Sequence, residues 1–375
     1  MTTTELLSEG VDAARKRESG AFEGLRAGGA AKVVLFGAGR LGRKVAAALH
    51  GGGIAPVAFA DNDTRLAGTS VEGVPVLSLE DAARQHGREA LFVVTTFLPA
   101  GGGVRSRMVE LAVSGCRRAA SFLPVGWSLD GVLPHFGADR PSRILGHSAE
   151  LGRVAAIWSD DLSRETFRRE LSWRLRAESK EAPTPVPDQY FPRDLIRPEP
   201  NESFIDGGAY DGDTLRDAPW PFENTLAVEP DPASAGRLRT QGGHRLRVHE
   251  ALLGSEPGSA RFSGGGTMAS GRSETGTLQV PVTTIDRLAE EQRPTFIKLD
   301  VEGDELEALK GGRRTLERSQ PVVAVCAYHR PEDLWTLPLF LRETLPGHRM
   351  YLRAHAWDGF ELVVYAVPEG RCRQS

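Results

Sequence analysis

The chain reads as an α/β protein built from two Rossmann-like three-layer domains joined by a helical bridge, and three observations predict this. An apolar strand, a glycine-rich turn and a stripe of apolar residues at helical spacing follow one another twice, first from Lys32 and again from Ser203. Between Pro124 and Pro200 the strand pattern stops. The last two strand-like runs, Arg349 to Arg353 and Glu361 to Val367, are separated only by His355 to Phe360, too short for a helical crossover, so they pair antiparallel. The expected organisation is an N-terminal extension (1–30), a nucleotide-binding-type domain (31–124), a bridge with a Pro-rich linker (125–200) and a second α/β domain (201–375).

Composition narrows the function. At 375 residues, 40% hydrophobic and 26% charged, the chain can bury two separate cores. A net charge of -4 provides no basic field for a phosphate polymer, so nucleic acid is not an expected partner. Cys116, Cys326 and Cys372 lie far apart, which argues against a disulfide framework and a zinc knuckle and fits a reducing compartment. No apolar run reaches the ~18 residues of a membrane span, and Met1 to Gly10 lacks a signal-peptide core. A cytoplasmic protein without membrane partners is expected.

Taken in order, residues up to about 30 suit a surface helix and a loop ending in Gly28-Gly29. The strand Lys32 to Phe36 then meets Gly37-Ala38-Gly39-Arg40-Leu41-Gly42, a G-x-G-x-x-G turn in its proper setting, because Leu41, Val45, Ala48 and Leu49 repeat at helical spacing. A second strand, Pro56 to Ala60, ends in Asp61, close to the position about 20 residues on where such folds place a ribose-binding acid. Gly37, Gly39, Gly42 and Asp61 are therefore the candidate nucleotide site, with NAD or another nucleotide as ligand; the opposing reading is a retained fold used for docking or homodimer assembly. Val74 to Leu77, Leu91 to Thr95 and Arg118 to Phe122 supply the remaining strands, and Thr95-Thr96 either lines the pocket or caps the next helix. In the bridge, Phe167 and Trp173 are expected as packing residues. Gln189 to Pro192 leads into the second fold, where it either covers a pocket or simply packs.

In the second domain, the stretch SFIDGGAYDGDTL (203–215) runs a buried strand into Asp206 and a turn at Gly207, Gly208 and Gly212, with Asp213 and Thr214 placed to cap the next helix. Leu226 to Val228 leads into Glu229, a carboxylate at the place where doubly wound folds grip the two hydroxyls of a ribose; capping the helix at Asp231 is the alternative. Ala251 and Leu252, after a third strand at 245–249, flank an adenine or belong to the core. Strands at 295–299 and 321–327 follow, with helices expected between all of these. A mostly parallel sheet with one late antiparallel hairpin is the class I architecture of S-adenosylmethionine-dependent methyltransferases.

FIDGGAYDGDTL, VEPDP (228–232), TIDRL (284–288), FIKLDVEGDELEALKG (296–311) and AYHRPEDLW (327–335) resemble the FkbM family of these methyltransferases. The resemblance covers about the last 175 residues. It implies S-adenosyl-L-methionine as cofactor and methylation of a small-molecule acceptor, most often at a hydroxyl of a sugar or natural product, sometimes at a carboxylate. On that basis Gly207, Gly208 and Gly212 would bring backbone amides to the methionyl carboxylate, Asp206 would orient the loop or receive the ammonium group, and Glu229, Ala251, Leu252 and Asp300 would complete the cofactor site. Asp300, Glu302 and His329 are the candidate catalytic residues, a histidine suiting a hydroxyl acceptor because its pKa lies near working pH. A carboxylate acceptor would instead need a cation such as Lys298 or Arg330. Asp300, Glu302 and His329 could also bind a divalent ion, as in some catechol-type methyltransferases, but three dispersed donors without a dense acidic loop make a weak site, and no metal is assigned. Gly264 to Gly271 is a candidate lid, and His355 and Trp357 border the acceptor or lie at the surface. The rival from another class is a nucleotide-sensing or assembly protein whose second domain is a binding module; an oxidoreductase is weakened by the missing substrate half.

Overall fold

Val33 to Phe36 are buried on both faces, as expected for a strand inside a parallel sheet covered by helices. They belong to β1 (Lys32–Phe36) of the protein, whose computed structural model describes every residue except 28–31, 97–101, 242–244, 265–270, 273–275, 291 and 374–375. The chain divides into two compact units, Met1–Gly152 with Glu165–Pro185 and Ala356–Phe360, and Arg153–Arg164 with Val186–His355 and Glu361–Ser375. Residues expected to bridge the two domains are thus shared out between the units.

In the first unit, β1 is joined by β2 (Ala58–Asp61), β3 (Ser70–Val71), β4 (Val74–Ser78), β5 (Ala90–Val94) and β6 (Ala119–Ser121) in the order β3-β4-β2-β1-β5-β6. All pairings are parallel except β3 with β4. That short hairpin turns at Glu72 and Gly73, both with positive φ (52° and 82°), as a two-residue loop between antiparallel strands demands. The helix Arg40–Gly51 buries Leu41, Val45 and Leu49, the stripe read from the sequence. The N-terminal helix Val11–Arg26 is more than a surface helix: Phe22 joins the core, and the buried Glu18 carboxylate accepts a hydrogen bond from Ser142 Oγ at 2.9 Å. Trp173 is a core residue too, its indole N–H donating to the Asp358 carbonyl at 3.1 Å, while the Asp358 carboxylate accepts from the Val104 N–H at 2.6 Å.

The second unit is organised by a seven-stranded sheet. Its strands are β7 (Ser203–Gly207), β8 (Asn224–Val228), β9 (Leu246–His249), β14 (Phe296–Leu299), β15 (Val322–Cys326), β16 (His348–Ala354) and β17 (Leu362–Pro368). The order is β16-β17-β15-β14-β7-β8-β9, and only β17 runs antiparallel to its neighbours β15 and β16. This is the class I methyltransferase arrangement with its late hairpin. The expectation of helices between all strands fails between β9 and β14. There β10 (Leu252–Leu253), β11 (Gly258–Ser263), β12 (Gly271–Arg272) and β13 (Leu278–Thr283) form a separate small sheet. Its period-two burial around Phe262, Val280 and Val282 is the mark of a half-buried strand, which distinguishes it from a helix.

Register decides what this sheet can do. Gly207 pairs with Leu299 on one side and Val228 on the other, so the carboxyl ends of three neighbouring strands are level. The residues that follow them, Gly208, Glu229 and Asp300, therefore emerge at one edge, where open α/β sheets bind ligands. Among the described residues no helix is long and apolar enough to cross a membrane.

Candidate active site

At the first of these strand ends, Gly208 has φ +75° and an added Cβ would sit 1.8 Å from the Asp300 carbonyl oxygen. Only glycine lets the two turns approach so closely. Gly208→Ala is expected to cost about 3 kcal/mol or more, from backbone strain plus a clash that no side-chain movement relieves, and a denaturant titration would measure it. A melt unchanged from the parent would mean the two turns are not packed in this way.

Asp206, just before this turn, is fully buried and its Oδ1 lies 3.0 Å from Lys298 Nζ, which also donates to the Gly208 carbonyl at 2.7 Å. Burial works against charge on Lys298, but Asp206 and Asp300 outweigh it and hold the amine protonated. Asp206 is thus placed to orient the loop through Lys298, as the first of its two expected roles requires. Lys298 is committed to the same pair and is 1% exposed, so it does not serve as the cation for an acceptor carboxylate. Arg330 is engaged with Asp304 at 3.3 Å.

Glu229 sits at the second strand end, buried, with Oε2 accepting from the Tyr210 N–H at 2.8 Å and Oε1 from the Asp231 N–H at 2.9 Å. Burial pushes its carboxyl up to about 7. Each oxygen keeps a further lone pair, so the carboxylate can still accept two hydroxyls, and doing so would offset its desolvation. Between Tyr190 and the residues Asp213, Thr214 and Asp217 lies a cavity of about 290 Å³, next to the Gly212 turn. Leu252, by contrast, packs with Phe262, Val280 and Val282 in the small sheet, which places it in the core. Ala251 is buried beside it.

The third group is the densest. His329 follows β15, and its side chain is 3% exposed. Nδ1 lies 2.8 Å from Glu305 Oε1, which also accepts the Val301 N–H at 2.9 Å and the Gly303 N–H at 3.3 Å. Nε2 faces Asp300 Oδ1 at 3.5 Å and Glu302 Oε2 at 3.6 Å, beyond good hydrogen-bond geometry. Glu302 has φ +56°, an unfavourable backbone for a residue with a Cβ, held by the wrapping of 301–303 around Glu305. Tyr190 donates its hydroxyl to Asp300 Oδ2 at 2.9 Å and stacks its ring under Lys298 Nζ at 5.1 Å. Its own N–H donates to the Tyr365 hydroxyl at 3.0 Å, which lies 2.8 Å from His355 Nε2.

Electrostatics redistributes the expected roles. Burial alone would lower His329, but Glu305, Asp300 and Glu302 outweigh it and hold the imidazole up at about 10. The expected neutral base is thus a protonated imidazole at working pH. Burial opposes ionisation of Asp300, yet Lys298 and His329 keep its carboxyl below the ordinary value. Glu302 is pushed by burial to about 7 and Glu361, for the same reason and through Asp300, also to about 7. Glu302 and Glu361 are therefore the members of the cluster that can exchange a proton near neutral pH, and Glu361 is already engaged by Gln189 and Tyr328.

Glu305, Tyr328 and Glu361 were not singled out as site residues by sequence reasoning, and Tyr190 entered it only within the Gln189 to Pro192 stretch expected to cover a pocket or pack. Gln189 donates to the Glu361 carboxylate and Tyr328 does so at 3.3 Å, which ties the segment after the Pro-rich linker to this edge of the sheet. His355 bonds Val186 and Tyr365 inside the fold, and burial pushes it down to about 4, so it is a structural histidine. The candidate lid Gly264 to Gly271 lies mostly outside the described residues.

In the first unit the glycine turn is explained by packing. An added Cβ at Gly42 would sit 2.0 Å from the Gly37 carbonyl oxygen, and Thr95 Oγ1 donates to that same oxygen at 2.9 Å. Asp61 accepts from the Ala38 N–H and the Asp63 N–H, both at 2.8 Å, so the acid expected to read a ribose fastens the turn to the end of β2.

Residues 196–356 match the family model described as the methyltransferase FkbM domain. This part of the chain resembles an FkbM methyltransferase domain. The crystal structure of methyltransferase FkbM from Methylobacillus flagellatus KT is similar in fold, with a TM-score of 0.74 at 23% identity over 95% of this chain and 98% of that one. A comparison with curated proteins finds no match. Within the matched residues fall all three clusters described above, the Gly208 turn, Glu229 and the group around His329.

Proposed function

We propose that the protein is an S-adenosylmethionine-dependent O-methyltransferase acting on a small hydroxylated metabolite. The observation that carries this reading is the meeting of Asp300, Glu302 and His329 at the same sheet edge as Glu229 and the Gly208 turn. When bound, S-adenosylmethionine supplies a methyl carbon on a positively charged sulfur, so that the C–S bond breaks as the bond to the acceptor oxygen forms and a neutral thioether leaves. Glu229 grips the ribose hydroxyls, and the Gly208 and Gly212 turns leave room for the methionyl end in the cavity beside Asp213 and Thr214. Glu302 takes the hydroxyl proton as the C–O bond forms, and the positive charge held at His329, whose ring is anchored by Glu305, stabilises the carboxylate before transfer. A hydroxyl is favoured over a carboxylate acceptor because Lys298 is spent on Asp206, while Asp300, Glu302, Glu305 and Glu361 together repel an anion.

Incubating the protein with S-adenosylmethionine and a panel of hydroxylated sugars and natural products is expected to give a product heavier by one methylene. No heat of association with S-adenosylmethionine or its demethylated product would overturn the reading. The donor affinity also carries a pH signature. Glu229 is held at about 7 by burial, and the ionised form is the one that accepts both hydroxyls, so donor binding favours its deprotonation. Affinity should be flat above about pH 7.5 and weaken towards tenfold per unit below about 6.5, measured by calorimetry in buffers of matched ionic strength.

A further inference from the structure

Three polar atoms in this centre are buried and lack hydrogen-bond partners: His329 Nε2, Asp300 Oδ1 and Glu305 Oε2. Asp300, Glu305 and His329 each bring a donor atom within 4.8 Å of the others, and of these Glu305 is already bonded to His329 Nδ1, which leaves Asp300 and His329 Nε2 to face the gap. An orphaned buried polar atom costs about 1–3 kcal/mol, so a fold that keeps Nε2 and Oδ1 facing each other at 3.5 Å without a bond is shaped around something that fills the gap. The gap is too wide for a direct hydrogen bond. It suits an atom bonded to both sides: with bonds of about 2.1 Å, ligand atoms 3.5 Å apart subtend an angle of roughly 110° at a central ion.

We propose that this domain holds one divalent cation at His329 Nε2, where the ion displaces the ring proton to solvent, and at Asp300 Oδ1, with Glu302 Oε2, 3.6 Å from Nε2, moving in as the third ligand. The surroundings are those of a metal centre with its outer partners in place. Glu305 accepts the Nδ1–H of His329 at 2.8 Å and so fixes the tautomer and the ring plane that present Nε2. Tyr190 donates to Asp300 Oδ2 at 2.9 Å, which turns Oδ1 towards the gap. Glu305 is itself held by two backbone N–H groups, so the imidazole is braced from behind. One imidazole and two carboxylates is a donor set of mixed hardness that suits Mn2+ or Mg2+ better than an ion seeking thiolates, and Cys326 Sγ is taken up with the Tyr190 hydroxyl at 3.5 Å. The remaining coordination positions would accept the acceptor's oxygen. A hydroxyl bound there ionises more easily, its proton passing to the second oxygen of Glu302.

This proposal rests on the hydroxyl-acceptor reading for its role, though not for the binding itself. The test uses the full chain, stripped with a chelator and titrated with Mn2+ while the six-line signal of the free ion is followed by electron paramagnetic resonance. One Mn2+ per chain is expected, with His329→Gln weakening binding at least tenfold and Glu305→Gln weakening it 10- to 100-fold through the imidazole alone. Circular dichroism and donor calorimetry on the same samples show whether each variant is folded. If a variant does not fold, the wild-type spectrum with Co2+ decides, since nitrogen and oxygen ligation gives visible bands that a surface-bound ion lacks. No Mn2+ bound by the wild type at millimolar concentration, or binding unaltered in a folded His329→Gln, overturns the cation site. If Mn2+ is absent while S-adenosylmethionine binds, the donor reading stands and only the cation falls; if Mn2+ binds while S-adenosylmethionine does not, the reverse holds.

Discussion

Replacing Glu229 by alanine is expected to lower affinity for S-adenosylmethionine by about 100-fold or more. Two hydrogen bonds from a vicinal diol to one carboxylate are lost, each on the order of 1.5–3 kcal/mol because the acceptor is charged. The same change leaves the Tyr210 and Asp231 N–H groups without their acceptor, so part of the loss could come from the loop. Glu229→Gln separates the two causes, since the amide keeps a carbonyl for one backbone N–H and one hydroxyl. An intermediate loss in Glu229→Gln, with the thermal midpoint nearly unchanged, supports direct contact with the ribose. Parent-like calorimetry for Glu229→Ala would remove the donor from this edge of the sheet.

Glu302→Gln is expected to leave donor affinity within twofold of the parent and to reduce the turnover number by about 100- to 10,000-fold, the usual range for loss of a proton acceptor. The glutamine matches the side chain in shape, so the left-handed backbone at 302 and the loop around Glu305 should persist. The pH profile gives an independent reading. Glu302 must be ionised to act, and burial places its carboxyl at about 7, so the parent rate should rise with pH through about 7 and level above it. In Glu302→Gln that rise should vanish. A retained rise with a modest rate loss would assign the proton transfer to another group and leave Glu302 as a ligand or a spectator.

The first argument from sequence for this centre rested on the ordinary pKa of histidine, and it is here that the fold changes the chemistry most. Free imidazole titrates near working pH. In the folded chain His329 is ringed by Glu305, Asp300 and Glu302, which come from the turn after β14, and their summed field keeps it charged. The proton-accepting role is consequently the one we propose for Glu302. Glu305 stood within FIKLDVEGDELEALKG, in plain view, but its carboxylate turns back on the loop that precedes it, and no spacing rule announces such a turn. Tyr190 reaches Asp300 across 110 positions of sequence, a pairing with no local signature at all.

What the amino-acid order determined by itself was everything carried by short-range periodicity. Apolar runs of four or five residues ending in glycine or acid specified β7, β8 and β14, and with them the level strand ends that bear Gly208, Glu229 and Asp300. The antiparallel close of the sheet followed from a loop too short to cross over. Tertiary structure alone decided which side chains are consumed inside the fold and which remain available. Lys298 is spent on Asp206, Asp61 on the glycine turn, His355 on Tyr365 and Leu252 on the small sheet, whereas His329 Nε2 and Asp300 Oδ1 are left facing one another. The physical reason is that hydrogen bonding and desolvation act over a few ångströms of space, whichever residues the chain brings there. Strand and helix patterns, by contrast, act over a few residues of sequence, and so can be read before the chain folds.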